Sequence, residues 1–218
     1  ATSRFRRRMT VEGTFHGLRH AVLLGPRRLS TVRNFVTEFY HPNHSSKRAQ
    51  NAMPLVVMGD WEPDEGMKTL LAGPLVREHL YYFKGNSMDE DDLNMIDIRN
   101  AEKVFILPDP DAGDQADMVT IMTTLILRHI HPTLTANTFV QVSGRHAVGH
   151  LKEADVSSTQ SVSLDILLAS LMASACLRPG LPAFIDNLMQ SFSDEANEEN
   201  CHLPKWLSDE YLPGAGIE

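Results

Sequence analysis

An acidic segment follows one apolar stretch of the sequence. After KVFIL at 103–107 come four aspartates: Asp109, Asp111, Asp114 and Asp117. Four carboxylates this close repel one another unless water or a hard cation screens their charge, and calcium and magnesium prefer oxygen ligands of this kind. The segment lacks the D-x-D-x-D-G-x5-E pattern of an EF-hand loop. It is therefore either a set of helix caps and solvated charges or a divalent-cation site of another type.

Helix capping accounts for part of this segment. The apolar spacing that follows predicts a helix from about Asp114 to Ile130. Asp114 would then be the N-cap and Asp117 would lie in the first turn, each contributing about 0.5 to 1 kcal/mol. Asp109 and Asp111 have no role in this interpretation. Both alternatives, capping and a cation site, stay open.

Catalytic and nucleotide-binding motifs are missing from the sequence. The turn after the first apolar run reads GPRR at 25–28, without the further glycines of G-x-G-x-x-G, and Pro26 removes an amide donor. Ser143 lies outside a G-x-S-x-G turn. His146 and His150 are spaced i, i+4, but without the glutamate of H-E-x-x-H. We therefore expect no enzymatic activity and no bound nucleotide.

Short apolar runs alternate with amphipathic segments over most of the chain. The runs predict strands at 20–25, 54–59, 80–85, 103–107 and 137–143. A helical segment follows each of them. Continuous apolar strands separated by helices indicate a parallel sheet covered on both faces. The predicted fold class is therefore α/β, a Rossmann-like doubly wound parallel sheet.

The pattern changes near residue 159. Residues 159–177 predict a long helix, ended by RPG at 178–180, and 181–192 predict a second apolar helix. This helix-turn-helix crossover has no strand to cover, so we expect its apolar stripe to pack against another subunit, with folding back on its own sheet as the alternative. The predicted interface residues are Leu164, Leu168, Leu171, Phe184, Ile185 and Leu188.

Charge is divided unevenly along the chain. The net charge is -8, yet five arginines lie in the first 20 residues. The acidic body disfavours a nucleic-acid partner, since phosphate binding needs a broad positive surface. The longest apolar stretch, 161–177, contains Asp165 and is too short to span a bilayer. The two cysteines lack metal-ligand spacing, which favours a reducing cytoplasmic setting.

Six segments of the sequence share the order and separations of one known family. They read RHAVLLG, RNFVTEFYHP, YYFKGNSMDEDDL, NAEKVFILPDPDAGDQAD, ILRHIHP and CLRPGLPAFIDNLMQSF. In this order the chain resembles, over about residues 18 to 192, the first RCK domain (regulator of potassium conductance) of BK-type, or Slo-family, calcium-activated potassium channels. The resemblance implies a cytoplasmic ligand-sensing domain of a membrane channel.

This resemblance also implies an organisation into four parts. Residues 1–17 are the basic juxtamembrane linker, 18–158 the Rossmann-like lobe, 159–192 the crossover that mediates dimerisation, and 193–218 the polar start of a truncated C-terminal lobe. In the family such domains pair through the crossover helices and assemble into the gating ring of a tetrameric channel. The implied partners are other RCK domains and, through the linker, the pore domain.

The resemblance further implies a calcium site, or a magnesium site, formed by Asp109, Asp111, Asp114 and Asp117. Cation binding would be coupled to opening of the potassium pore. Additional ligands in the family come from the C-terminal lobe, so we expect weak binding here, on the order of 0.1 to 1 mM. The alternative is a nucleotide- or NAD-responsive RCK subunit of a potassium transport system, which needs the glycine loop that this sequence lacks. A Rossmann-type oxidoreductase is a more distant alternative.

Overall fold

A computed structural model describes most of the 218-residue chain: residues 19–41, 53–73, 76, 79–154, 156–157 and 160–189, without the side chains of 114, 135, 136 and 189. These residues divide into two compact units, one of 19–33 with 53–167 and the other of 34–41 with 168–189. The predicted linker and polar tail lie outside the described residues. The predicted domain boundaries at 18–158 and 159–192 stay predictions.

A six-stranded parallel sheet forms the centre of the first unit. Its strands are β1 (His20–Leu24), β2 (Leu55–Gly59), β3 (Leu80–Lys84), β4 (Ala101–Ile106), β5 (Thr138–Val142) and β6 (Ser161–Ser163). The strand order is β3-β2-β1-β4-β5-β6, and every pair is parallel. The order therefore reverses between β1 and β4. The predicted doubly wound α/β class is confirmed.

Helices connect these strands in the predicted alternation. They are α1 (Leu29–Phe39), α2 (Glu65–Ala72), α3 (Glu90–Met95), α4 (Ala116–Ile130), α5 (Ala147–Glu153), α6 (Leu164–Leu177) and α7 (Leu181–Met189). Short 3-10 helices lie at Ile98–Asn100, Pro110–Gln115 and Pro132–Asn137. No helix among the described residues is long and apolar enough to cross a membrane.

Burial explains why β1 is apolar at nearly every position. All five of its residues are buried, since β2 and β4 flank the strand and the sheet is covered on both faces. The one polar member, His20, lies with Nε2 3.1 Å from the carbonyl oxygen of Ile96. A buried polar group satisfied in this way does not oppose folding.

The crossover begins differently from the prediction. Residues 161–163 form β6, which pairs with β5, and α6 begins at Leu164, so the helix predicted from 159 is wrong at its start. A three-residue strand of sequence SVS is too short and too polar to produce an apolar run. Only its pairing with β5 shows that it belongs to the sheet.

The N-terminus of α4 also differs from the prediction. Gln115 is the residue that precedes α4, so the predicted N-cap at residue 114 is wrong. Residues Pro110–Gln115 form a 3-10 helix that is interrupted at Gly113, where φ is +54°. A left-handed glycine at this point keeps the α-helix from extending back into the acidic segment.

Candidate functional site

A cavity of about 330 Å³ lies at the carboxyl ends of β1 to β4. In doubly wound folds, ligands bind at this edge of the sheet, where the strand order reverses. The carboxyl ends of three strands and the turns after them contribute Gly25, Gly59 and Gly85 to its lining, and α4 contributes Val119 and Thr123. The topology therefore brings turns that are far apart in the sequence to one place.

The turn after β1 packs directly against the chain that leaves β4. Gly25 has a φ of +99°, and a Cβ at this position would lie 2.1 Å from the carbonyl oxygen of Leu107. The amide of Leu107 in turn donates to the carbonyl of Leu24 at 3.0 Å. Only glycine fits such an approach without strain. The two residues after Pro26 are consequently held close to the acidic segment.

Arg27 connects the turn after β2 with the turn after β4. Its Nη2 and Nε donate to the two carboxylate oxygens of Asp60 at 2.6 and 3.2 Å. The same Nε lies 3.6 Å from Oδ2 of Asp109, whose side chain is 16% exposed. The carboxylate of Asp60 raises the pKa of Arg27 through the hydrogen bond and its charge. Arg27 is therefore shared between two aspartates.

Arg28 binds Asp111 through a bidentate contact. Its Nε lies 3.0 and 3.1 Å from Oδ1 and Oδ2 of Asp111, and its Nη2 also donates to Oδ1. Hydrogen bonds from this guanidinium lower the pKa of Asp111. Both side chains are about half exposed, at 52% and 54%. Asp111 is thus already paired with a cation supplied by the chain itself.

Asp117 has different partners. Its Oδ1 and Oδ2 accept hydrogen bonds from the backbone amides of Ser143 and Gly144, both at 2.7 Å. The prediction that Asp117 lies in the first turn of the helix is confirmed. Its contacts, however, tie α4 to the turn after β5, 26 and 27 residues away. Capping of the helix's own amides is not its role.

The structure separates the predicted ligands into two places. Asp109 lines the first cavity, whereas Asp117 lines a second cavity of about 550 Å³ together with His146, His150 and Asp165. The side chain of residue 114 is outside the described part of the chain. Within that part, no group of three or more His, Cys, Asp or Glu side chains is placed to hold a metal ion.

The donor chemistry of the first cluster nevertheless suits a hard cation. Asp60, Asp109 and Asp111 offer carboxylate oxygens at one sheet edge, and all three contact either Arg27 or Arg28. The contacts formed in the structure are those of ion pairs. No local sequence pattern connects these arginines with the acidic segment. The signal that could have indicated the contact is the pair of adjacent arginines directly after β1. The acidic segment directly follows β4, and the carboxyl ends of parallel strands lie at the same edge of a sheet.

Asp117 is expected to contribute measurably to stability. In an Asp117→Asn variant one carboxylate oxygen becomes an NH2 group, which faces a backbone amide instead of accepting from it. Hydrogen bonds to charged groups contribute about 1.5 to 3 kcal/mol, so we expect the free energy of unfolding to fall by about that amount in urea titrations. Asp111→Asn, which removes only an exposed ion pair, is the matched control. Equal losses in the two variants would contradict this role.

The helix pair α6 and α7 forms a second candidate site. No residue of α6 is buried, although its sequence is largely apolar. Of the predicted interface residues, Leu168, Phe184 and Leu188 are 57%, 62% and 51% exposed. The other three, Leu164, Leu171 and Ile185, are half-buried. Apolar side chains exposed to this extent on a helix pair are typical of a surface that binds another protein.

Two solved structures and one family model are similar to this chain. The human SLO3 gating ring superimposes with a TM-score of 0.62 at 20% identity, over 81% of this chain and 30% of that one. The TrkA-N domain of inner membrane protein ybaL from Escherichia coli gives a TM-score of 0.48 at 14% identity, over 72% of this chain and 96% of that one. The chain thus spans about 30% of the gating-ring chain that it matches. Residues 16–138 match the sequence model described as calcium-activated potassium channel slowpoke-like RCK domain. The chain belongs to this family of slowpoke-like RCK domains.

Proposed function

We propose that this domain is the cytoplasmic ligand-sensing domain of a calcium-activated potassium channel and that it couples divalent-cation binding to opening of the pore. The match of residues 16–138 to the slowpoke-like RCK family is the observation that carries the proposal. The parallel sheet with its reversal between β1 and β4 supports it, because this topology places ligand-binding turns at one edge. The function is regulation by binding, without chemistry on a substrate.

The proposed cation ligands are the carboxylates of the acidic segment. Asp109 and Asp111 carry the proposal, since their oxygens lie at the sheet edge beside Asp60. Asp114 and Asp117 complete the predicted set. Calcium or magnesium would supply positive charge to these oxygens when bound. Cation binding shifts the equilibrium between two arrangements of the domain, and the difference between the cation's affinities for the two arrangements limits the size of that shift.

We further propose that α6 and α7 pair with the same helices of a second RCK domain. The exposed apolar side chains of both helices support self-association, since a second copy presents an equally apolar surface. The similarity in fold to the human SLO3 gating ring supports assembly of such pairs into a ring. In a tetrameric channel, residues 1–17 would connect this ring to the pore.

Nucleotide regulation is the alternative function. We propose that no nucleotide acts at this sheet edge, because Pro26 supplies no amide and Arg27 is engaged by Asp60 and Asp109. Specific sub-micromolar binding of NADH, measured by calorimetry, would favour the alternative.

Calcium is expected to stabilise the domain. A ligand that prefers the native state increases the free energy of unfolding by mass action, by about 2.7 kcal/mol at 100 times its dissociation constant, and thereby raises the melting temperature. We expect thermal-shift titrations to give an apparent dissociation constant on the order of 0.1 to 1 mM. Magnesium, NADH and ATP are measured in parallel to identify the ligand class.

A double variant and a matched control test which residues bind the cation. Asp109→Asn combined with Asp111→Asn should abolish the calcium-dependent shift, whereas Asp91→Asn, an exposed aspartate in the first turn of α3, should preserve it. In a full-length channel, Asp109→Asn combined with Asp111→Asn should likewise reduce the calcium shift of open probability. If the calcium shift of open probability is unchanged, Asp109 and Asp111 do not bind the cation and have structural roles only.

A further inference from the structure

We propose that Asp117 is a positioning residue for the crossover: it holds the first turn of α6 through the backbone of Ser143 and Gly144. Asp117 lies in the first turn of α4, directly after the 3-10 helix of the acidic segment. Helix α6 carries Leu164 and Leu168 of the proposed subunit interface. The effect on subunit pairing rests on the proposed function, because it requires that α6 forms that interface.

The carboxylate of Asp117 binds two consecutive backbone amides. Its Oδ1 accepts from Ser143 and its Oδ2 from Gly144, both at 2.7 Å. A Cβ at residue 144 would lie 3.2 Å from Oδ2, so glycine leaves room for the carboxylate to approach. Hydrogen bonds to an ionised acceptor are shorter and stronger than those between neutral groups. The turn after β5 is therefore fixed to the first turn of α4.

The peptide group that joins Ser143 to Gly144 is bound at both ends. Its N–H donates to Asp117, while its carbonyl oxygen accepts from the amide of Asp165 at 3.1 Å and from Oγ of Ser163 at 3.4 Å. A peptide group is planar and rigid, and a donor that is bound to an anion polarises the carbonyl of the same group. One peptide group thus connects α4 with the first turn of α6.

Ser163 reinforces this connection. It is the last residue of β6, is 7% exposed, and lies opposite Val142 in the register with β5. Its Oγ lies 3.5 Å from the amide nitrogen of Ile166, in the first turn of α6. The first amides of a helix have no partner within the helix, so they depend on such contacts. The carbonyl of Ser143 and the hydroxyl of Ser163 together hold the N-terminus of α6.

The connection joins elements that are remote in the sequence. Asp117 is 26 residues from Ser143, and Ser143 is 20 residues from Ser163. Energetic coupling between distant parts of a protein travels through contiguous contacts of this kind. A change in the acidic segment that displaces Asp117 therefore displaces the first turn of α6. This coupling does not require that the carboxylate itself binds a ligand.

Native-state hydrogen exchange of Asp117→Asn, on the whole 218-residue chain, tests the connection. A loss of global stability accelerates exchange throughout the fold, including the amide of Lys68 in α2. A lost connection additionally accelerates the amides of Asp165 and Ile166, and we expect about tenfold beyond the change at Lys68. Asp111→Asn removes only an exposed ion pair, so it should leave this ratio unchanged.

Ser163→Ala is a second, milder variant that leaves Asp117 intact. Exchange at the amide of Asp165 should accelerate about threefold or more relative to Lys68, because the carbonyl of Ser143 loses one donor. Combined with Asp117→Asn, its effect should be smaller than the product of the two single effects, since both act on one peptide group. Effects that simply multiply would show two independent contacts and overturn the connection. If Asp117→Asn does not fold, the ratio in Ser163→Ala decides.

Self-association measures the functional consequence. Sedimentation, corrected for the folded fraction, should give a dissociation constant about fivefold or more higher for Asp117→Asn than for Asp111→Asn. Equal acceleration of exchange at Asp165 and Lys68, or equal dissociation constants for the two variants, overturns the inference and leaves the proposed pairing standing. A wild-type chain that stays monomeric at high concentration contradicts the proposed pairing, and the exchange ratios then decide the positioning role.

Discussion

Gly25→Ala is expected to lower the free energy of unfolding of the first unit by about 3 kcal/mol or more. Two effects add at this position. The backbone φ of +99° is one that alanine rarely adopts, and the new Cβ would overlap the carbonyl oxygen of Leu107 at 2.1 Å. Neither atom can move freely, because β1 and β4 are paired and central in the sheet.

Urea unfolding followed by circular dichroism measures this loss. Gly149→Ala is the matched control, since this glycine lies within α5 and a Cβ there meets nothing within 4 Å. Alanine favours helix over glycine, so the control should be neutral or stabilised by up to about 1 kcal/mol. A Gly25→Ala variant that is as stable as Gly149→Ala would show that the two strands do not approach each other as described.

Phe184→Asp is expected to abolish self-association of the domain. Phe184 is 62% exposed on α7, and the proposed partner surface is equally apolar. Placing a charge in an apolar interface without a partner costs several kcal/mol, which corresponds to about a hundredfold or larger increase in the dissociation constant. Sedimentation velocity at high protein concentration should therefore change from a dimer or larger species to a monomer.

Asn187→Asp provides the control for this experiment. It adds the same charge three residues further along α7, at an exposed polar position. We expect its sedimentation to resemble that of wild type. A Phe184→Asp variant that still associates like wild type, or an Asn187→Asp variant that dissociates equally, would place the interface elsewhere.

Local patterns predict the elements of this protein well. Strands β1 to β5 begin and end within about two residues of the predicted positions, because continuous apolar runs mark strands that are buried on both faces. β6 was missed, since its sequence SVS carries no such signal and its existence depends on pairing with β5. The predicted start of α4 is wrong for a related reason: Gly113 interrupts the preceding 3-10 helix by its backbone conformation, which composition alone does not specify.

The candidate site was predicted only in part. The sequence shows that four aspartates lie together along the chain, and it offers capping or a cation as explanations. Asp117 is instead bound by amides 26 and 27 residues away, and Asp111 by a guanidinium 83 residues away. No local pattern contains such partners. They follow from the order in which the strands pair.

By itself the sequence determined the fold class, the family and the apolar character of the crossover helices, because these depend on periodicity and on motif order along the chain. Tertiary structure decided what each charge does. The reversal of strand order between β1 and β4 brings Arg27 and Arg28 to the acidic segment, while the position of β5 beside β4 gives Asp117 its backbone donors. Electrostatic and hydrogen-bonding energies depend on distances of a few ångströms, and those distances arise only when strands remote in sequence end at the same edge of one sheet.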